Sequence, residues 1–174
     1  MAKTRRRRYY KRKGRWSANI SKLENTQITA SSGAWSTYTT LASNPIQNNA
    51  TVSQQYTVKN LEFTFQIEGT NTPINLEAIT IYIMYVPQGM SVGNDYYLQH
   101  PEYIMAYRFI GSPEYEMTGT NISGIRNPLK VKSRLARRLQ TGDSIIAYFE
   151  GVNTGTSTLT LDVNGIIRWW TKAN

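Results

Sequence analysis

An all-β fold, a sandwich or barrel of short antiparallel strands, is what this sequence predicts. Three observations carry that expectation. Outside the N-terminus, Thr, Ile, Tyr, Asn, Ser and Gly are plentiful and strong helix formers are sparse. Several segments alternate apolar and polar residues at period two. These segments recur at roughly 10–20 residue spacing between Gly, Pro and Asn turn signals, which makes roughly seven or eight strands. No internal repeat of the solenoid or propeller kind is present.

Along the chain, residues 17–50 are rich in Ser, Thr, Asn and Ala, with Pro45 and Asn48-Asn49 marking a loop. Within them a strand is expected from Gly33 to Leu41, through Trp35 and Tyr38. The first firm strand is Tyr56 to Glu68. Leu61, Phe63, Phe65 and Ile67 share one face; Glu62, Thr64, Gln66 and Glu68 share the other. A turn follows at Gly69 to Pro73. Asn75 to Val86 alternates Ile79, Ile81, Ile83 and Tyr85 with Thr80, Tyr82, Met84 and Val86. Both sets are apolar enough to predict cover on both faces, and Pro87 ends the strand.

Residues 87–101 read as a polar excursion. Glu102 to Ile110 reads as a strand with Tyr103, Met105, Tyr107 and Phe109 in register, and Gly111 to Gly124 as a loop. Pro128 to Leu139 carries a strand over 129–135, with Lys130, Lys132 and Arg134 on one face and Leu129, Val131, Ser133 and Leu135 on the other. Thr141-Gly142-Asp143 makes a turn into a short strand, Ser144 to Glu150. A hairpin turn is expected at Gly151 to Gly155. Ser157 to Val163 then alternates, Asn164-Gly165 signals a tight turn or bulge, and Ile166 to Trp170 follows.

Charge divides the chain in two. Nine of the first fifteen residues are basic: Lys3, Arg5, Arg6, Arg7, Arg8, Lys11, Arg12, Lys13 and Arg15. They account for the whole net charge of +9, because residues 16–174 hold 11 basic and 11 acidic residues. Residues 1–16 are therefore expected to be an arm, disordered when free, and residues 17–174 one β domain large enough for a single core. Such an arm points to a polyanion. Lys and Arg displace counterions from phosphates, and Tyr9, Tyr10 and Trp16 interleave with them as faces on which exposed bases stack. The same cluster, Arg5, Arg6, Arg7, Arg8, Lys11, Arg12 and Lys13, also reads as a nuclear-import signal. A second basic group is Lys130, Lys132, Arg134, Arg137 and Arg138. Two readings of it stand: a face lining an interior surface and assisting the arm, or a solvated strand face whose charges pair with local acids.

Other classes find little support. Without Cys there is neither disulfide nor thiolate metal site. No apolar stretch follows the charged N-terminus, and the longest apolar run, Ile79 to Val86, is far short of the ~20 residues of a spanning helix. Neither a secretory signal nor a membrane partner is expected. The lone His100 has no Cys or second His beside it, and Glu114 and Glu116 are an isolated acid pair. No catalytic residue, metal ligand or cofactor is assigned. Trp169 and Trp170 point to opposite strand faces, so one enters the core and the other needs cover, for which a subunit interface is a candidate.

The stretch Ser133-Arg-Leu-Ala-Arg-Arg-Leu-Gln-Thr-Gly-Asp-Ser-Ile-Ile146, behind an Arg-rich arm and within an all-β body, resembles capsid proteins of Rep-encoding circular single-stranded DNA viruses of the circovirus-like kind. That resemblance implies a viral jelly roll: eight strands in two facing four-stranded sheets, a shell domain over 17–174. It also implies self-assembly into an icosahedral shell of about sixty copies around circular single-stranded DNA, with inward-facing arms that double as import signals. The implied locations are the virion and, during infection, the host nucleus, with nuclear import receptors as further partners. If about sixty arms of +9 line one shell, they supply roughly 540 positive charges, enough for several hundred phosphates. The chain is shorter than animal circovirus capsid proteins, which implies compact loops. Small single-stranded RNA satellite viruses share the layout of arm plus short jelly roll, and a cellular β-barrel single-strand-binding protein is the further alternative.

Overall fold

A computed structural model of the chain describes residues 15–44, 55–69, 76–111, 117–118, 121–122 and 128–173. Arm residues Lys3, Arg5, Arg6, Arg7, Arg8, Tyr9, Tyr10, Lys11, Arg12 and Lys13 lie outside them, as do Pro45, Asn48, Asn49, Pro73, Glu114 and Glu116.

The strands are β1 (Ser17–Ala30), β2 (Gly33–Ser43), β3 (Tyr56–Gly69), β4 (Leu76–Val86), β5 (Ile104–Gly111), β6 (Met117–Thr118), β7 (Asn121–Ile122), β8 (Leu129–Ser133), β9 (Arg137–Leu139), β10 (Ser144–Asn153) and β11 (Leu159–Ala173). A short helix α1 (Tyr96–Gln99) and a 3-10 turn (Pro101–Tyr103) precede β5. All pairings are antiparallel: β1 with β11, β2 with β10, β3 with both β8 and β9, and β4 with β5. The chain is thus a long ribbon folded in half. Wrapping that ribbon adds the contacts β11–β3 and β10–β4 and closes two sheets, β1-β11-β3-β8, with β9 also on β3, and β2-β10-β4-β5. This winding is the jelly roll. Its eight principal strand positions match the expected eight, with β8 and β9 dividing one position at Arg134–Ala136. The small pair β6–β7 lies within the stretch read as a loop.

The core lies between the sheets. Leu61, Phe63, Phe65 and Ile67 face Ile79, Ile81, Ile83, Ala147 and Phe149, all buried. The Phe65 and Phe149 rings meet edge to face across the sandwich, with centroids 6.4 Å apart. The expected cover on both faces of β4 is present. Its outward Met84 and Val86 are buried with Tyr96, Ile146 and Tyr148 beneath α1, a helical turn that sequence reading took for a polar excursion.

Several local expectations are corrected. Ser17–Ala30, to which the sequence pattern assigns no strand, is a fourteen-residue strand. It is an edge strand held by its ladder to β11, with only Ile28 and Ala30 buried, so hydrophobic periodicity could not reveal it. Glu102 to Ile110 does not keep one apolar face. Ile83 pairs with Ala106 and Met84 with Ile104, so Met105 is the extra residue of a bulge. Met105 enters the core, whereas Tyr107 and Phe109 turn outward beside Tyr82 and Thr80 and are well exposed. The hairpin expected at Gly151 comes later, because β10 continues to Asn153. The buried Asn153 amide donates to the Ala30 and Ser157 carbonyls at 3.0 and 2.9 Å, and its oxygen accepts from the Gly155 N–H at 2.9 Å. Finally, β11 runs straight through Asn164-Gly165. The bulge lies on the partner strand, where Asn25 has φ 48° and its N–H donates to Asn164 Oδ1 at 2.7 Å. Leu135, expected on the apolar face of its strand, is half exposed beyond the end of β8.

Candidate nucleic-acid interface

Cross-strand partners share a sheet face, so the registers place the charged side chains. On β3, Phe63 and Phe65 point inward; Glu62 and Thr64 therefore point outward. Glu62 pairs with Arg168 and Lys132, and Thr64 with Lys130. Thr57 pairs with Lys172 and Arg138, and Lys59 with Trp170. Ile166 pairs with Lys22. The outer face of the β1-β11-β3-β8 sheet thus gathers Lys22, Lys59, Lys130, Lys132, Arg138, Arg168 and Lys172.

The opposite sheet has no such collection. Strands β2, β4, β5 and β10 hold one basic residue, Arg108, against Glu77 and Glu150. Strands β1, β3, β8, β9 and β11 hold eight Lys and Arg against four acids. A domain that is neutral in sum is therefore divided by sheet.

The chain enters the basic sheet at its edge strand β1. Exposed Arg15 and half-buried Trp16 lead directly into β1, and the Lys59 ammonium sits 3.9 Å from the centre of the Trp16 ring. Trp170 is exposed on the same face, opposite Lys59, while Trp169 packs against the core. The expected division of the Trp pair therefore holds, and the outward indole stands among cations.

The second basic group separates into parts. Lys130 and Lys132 both reach Glu62, at 3.0 and 2.8 Å to its two oxygens, which is the local-acid pairing of the solvated-face reading. Hydrogen bonds from Lys132 and Lys130 hold the Glu62 carboxyl below the usual carboxylate range. One carboxylate shared by two ammonium groups still leaves the trio cationic, and Arg138 extends the same face. Arg137 turns the other way: it donates to the Glu102 carbonyl at 2.6 Å and lies 5.6 Å from the Tyr85 ring centre. Arg134, expected beside Lys130 and Lys132, is exposed in the break after β8, outside the ladder that would hold it there.

Lys22, Lys59, Arg168 and Lys172 went unremarked in the sequence because they are isolated there; only strand register assembles them. His100 stacks on Tyr103 at 5.2 Å and approaches Glu102 Oε1 at 3.3 Å. Among the described residues no group of three or more His, Cys, Asp or Glu is placed to hold a metal ion.

No protein-family model and no curated protein matches the sequence. Solved structures similar to the chain include viral particles. The structure of infectious bursal disease virus Gx strain aligns with TM-score 0.38 and 10% identity, over 91% of this chain and 32% of that one. The infectious bursal disease virus VP2 subviral particle aligns with TM-score 0.24 and 9% identity, over 91% and 41%. T=1 particles derived from infectious bursal virus give 0.24 and 13%, over 90% and 41%. The chain spans about a third to two fifths of their length. The jelly-roll assignment rests on the strand order.

Proposed function

We propose that this chain is a viral capsid subunit that assembles with copies of itself into a small icosahedral shell and packages single-stranded nucleic acid. The observation that carries the reading is the segregation of basic side chains onto the one sheet where the basic arm begins. In a shell, that sheet and the arm face inward together. Weak contacts from each subunit then add through many tethered copies acting on one enclosed strand. The opposite sheet, nearly free of cations, faces outward. The role is structural, with no catalytic step. Circular single-stranded DNA is the proposed cargo, following the Leu139 to Ile146 motif, and the Arg5–Arg8 and Lys11–Lys13 clusters serve in nuclear import. The proposed locations are the virion and the host nucleus.

Electron microscopy of the purified full chain tests the assembly: closed particles of uniform diameter are expected. A chain that stays monomeric at every salt concentration, with nucleic acid present, overturns it. Sensitivity of the extracted nucleic acid to DNase rather than RNase separates a DNA cargo from the RNA of a satellite-type virus. Exposed Trp170 within a basic face favours a second reading, a cellular single-strand-binding module. Removing residues 1–15 distinguishes the two: the capsid subunit still assembles and loses most of its packaging, whereas the module stays unassembled and keeps measurable affinity.

A further inference from the structure

The outer face of the basic sheet carries large apolar side chains as well as cations. Ile20, Ile166 and Trp170 are exposed there, and register sets them in order. Ile166, Thr64 and Lys130 form one cross-strand row. Ile20, Arg168, Glu62 and Lys132 form the next. Ala18, Trp170 and Lys59 form the one after that. Each row thus holds one exposed apolar side chain on β1 or β11 and one lysine on β3 or β8. An apolar column and a lysine column run side by side down the sheet.

Successive rows are two residues apart along β11, about 7 Å. Duplex DNA rises roughly 3.4 Å per nucleotide along each strand, with its bases stacked on one another. A repeat near twice that distance fits a single strand drawn out, its bases parted. Such a strand presents bases to one side and phosphates to the other. The apolar column meets the bases and the lysine column meets the phosphates. A duplex uses only the lysines, because the faces of its bases are closed off within the stack.

Trp170 is the strongest point of this track. The indole is 43% exposed. Its neighbour on β1 is Ala18, whose single methyl crowds it little, and its neighbour on β3 is Lys59. Arg168 and Lys172, two residues away in either direction on β11, share its face. No acid stands in its row, whereas Glu62 restrains Lys130 and Lys132 in the rows beyond. The Trp16 ring already carries the Lys59 ammonium on its face; among the described residues neither a ring nor a cation lies over Trp170. An open indole flanked by three cations matches a flat base with a phosphate on each side.

We propose that one unpaired base of the packaged strand stacks on Trp170, with its flanking phosphates on Lys59, Arg168 and Lys172. The proposal rests on the packaging reading and adds how the strand lies: along β11, with its bases against the sheet. The test is fluorescence anisotropy on the full chain with three labelled probes: a short oligothymidylate, an abasic oligomer of the same length, and a duplex. Trp170→Ala should weaken oligothymidylate binding about tenfold and leave the affinity for the abasic oligomer and the duplex unchanged. Trp170→Phe should keep most of the parent's affinity for all three. Circular dichroism confirms that both variants remain folded. Ultraviolet cross-linking of oligothymidylate to the parent chain, which needs no variant, should mark the peptide that contains Trp170. No loss of oligothymidylate binding in Trp170→Ala, or an equal loss with all three probes, overturns the proposal. So do cross-links confined to residues 1–16. A Trp170→Ala chain that binds every probe as the parent does, yet no longer forms particles, assigns the indole to a contact between copies and overturns it too. If the parent binds none of the probes, the packaging reading fails; if it binds all three and Trp170→Ala matches it, only the stacking site fails.

Discussion

The Tyr85 hydroxyl donates to the Asp143 carboxylate at 2.7 Å, tying the end of β4 to the turn before β10. The same carboxylate accepts from the Gln140 N–H at 2.7 Å and the Gln88 N–H at 2.9 Å, and Asp143 is only 4% exposed. The Gly142-Asp143-Ser144-Ile145 segment is therefore a structural joint: one acid satisfies donors from two loops and a strand. Asp143→Ala leaves three part-buried donors without it and should destabilise the domain by about 2–4 kcal/mol, whereas Tyr85→Phe should cost about 1 kcal/mol. Urea denaturation reads both.

Gly165 permits close approach between strands. A Cβ there would lie 2.6 Å from the Thr64 carbonyl oxygen and 2.8 Å from Phe65 Cβ. Gly165→Ala should therefore lower stability by about 2 kcal/mol or more through displaced backbone, visible as a lower urea midpoint with an unchanged m-value.

Glu62 restrains two lysines on the basic face. Glu62→Gln releases Lys130 and Lys132 towards phosphate, so affinity for single-stranded DNA should rise and its salt dependence steepen. Lys59→Ala, Arg168→Ala or Lys172→Ala should each reduce the slope of log affinity against log salt by about 0.7. Fluorescence anisotropy across a salt series measures these slopes.

Alkaline pH should weaken the aromatic cover of the β2-β10-β4-β5 sheet. Tyr97 is pushed up to about 12, first by its hydrogen bond to Glu150 and then by burial. Tyr96 is also raised to about 12, chiefly by burial. A raised folded-state pKa contributes stability fully present below the unfolded value of 10.0 and lost as pH climbs towards 12. Denaturation between pH 9 and 12 should show this decline, and Glu150→Gln should lessen the Tyr97 share.

Acid pH acts through Glu62. Its lowered pKa contributes stability above the ordinary value of 4.5, lost as pH falls through the folded value. The carboxylate is partly exposed, so the effect should stay under about 1 kcal/mol. A urea series from pH 5 to 2 on the parent and Glu62→Gln isolates it.

The strands with a strong period of two, β3 and β4, were legible in sequence because one face of each packs against the core. Edge strand β1 was not, since backbone pairing holds it and Leu23, Ile28 and Ala30 make a sparse pattern. The outward turn of Tyr107 and Phe109 was hidden for another reason: a one-residue bulge at Met105 reverses the faces beyond it, and that bulge is set by pairing with β4. Half of the basic site was likewise invisible. Lys130 and Lys132 stand close in sequence, but Lys59 meets Trp170 only through the register of β3 on β11.

Pairing the first strand with the last has a consequence for synthesis. β1 emerges from the ribosome before β11 and cannot complete its ladder until that strand follows, more than a hundred residues later. Contacts of such long range are slow to form. During that interval the long edge of β1 stands open, next to the most highly charged part of the chain. Repulsion between the arms of nascent chains then opposes edge-to-edge association when it is most hazardous. The polycation in this way keeps nascent chains apart until the ladder is complete.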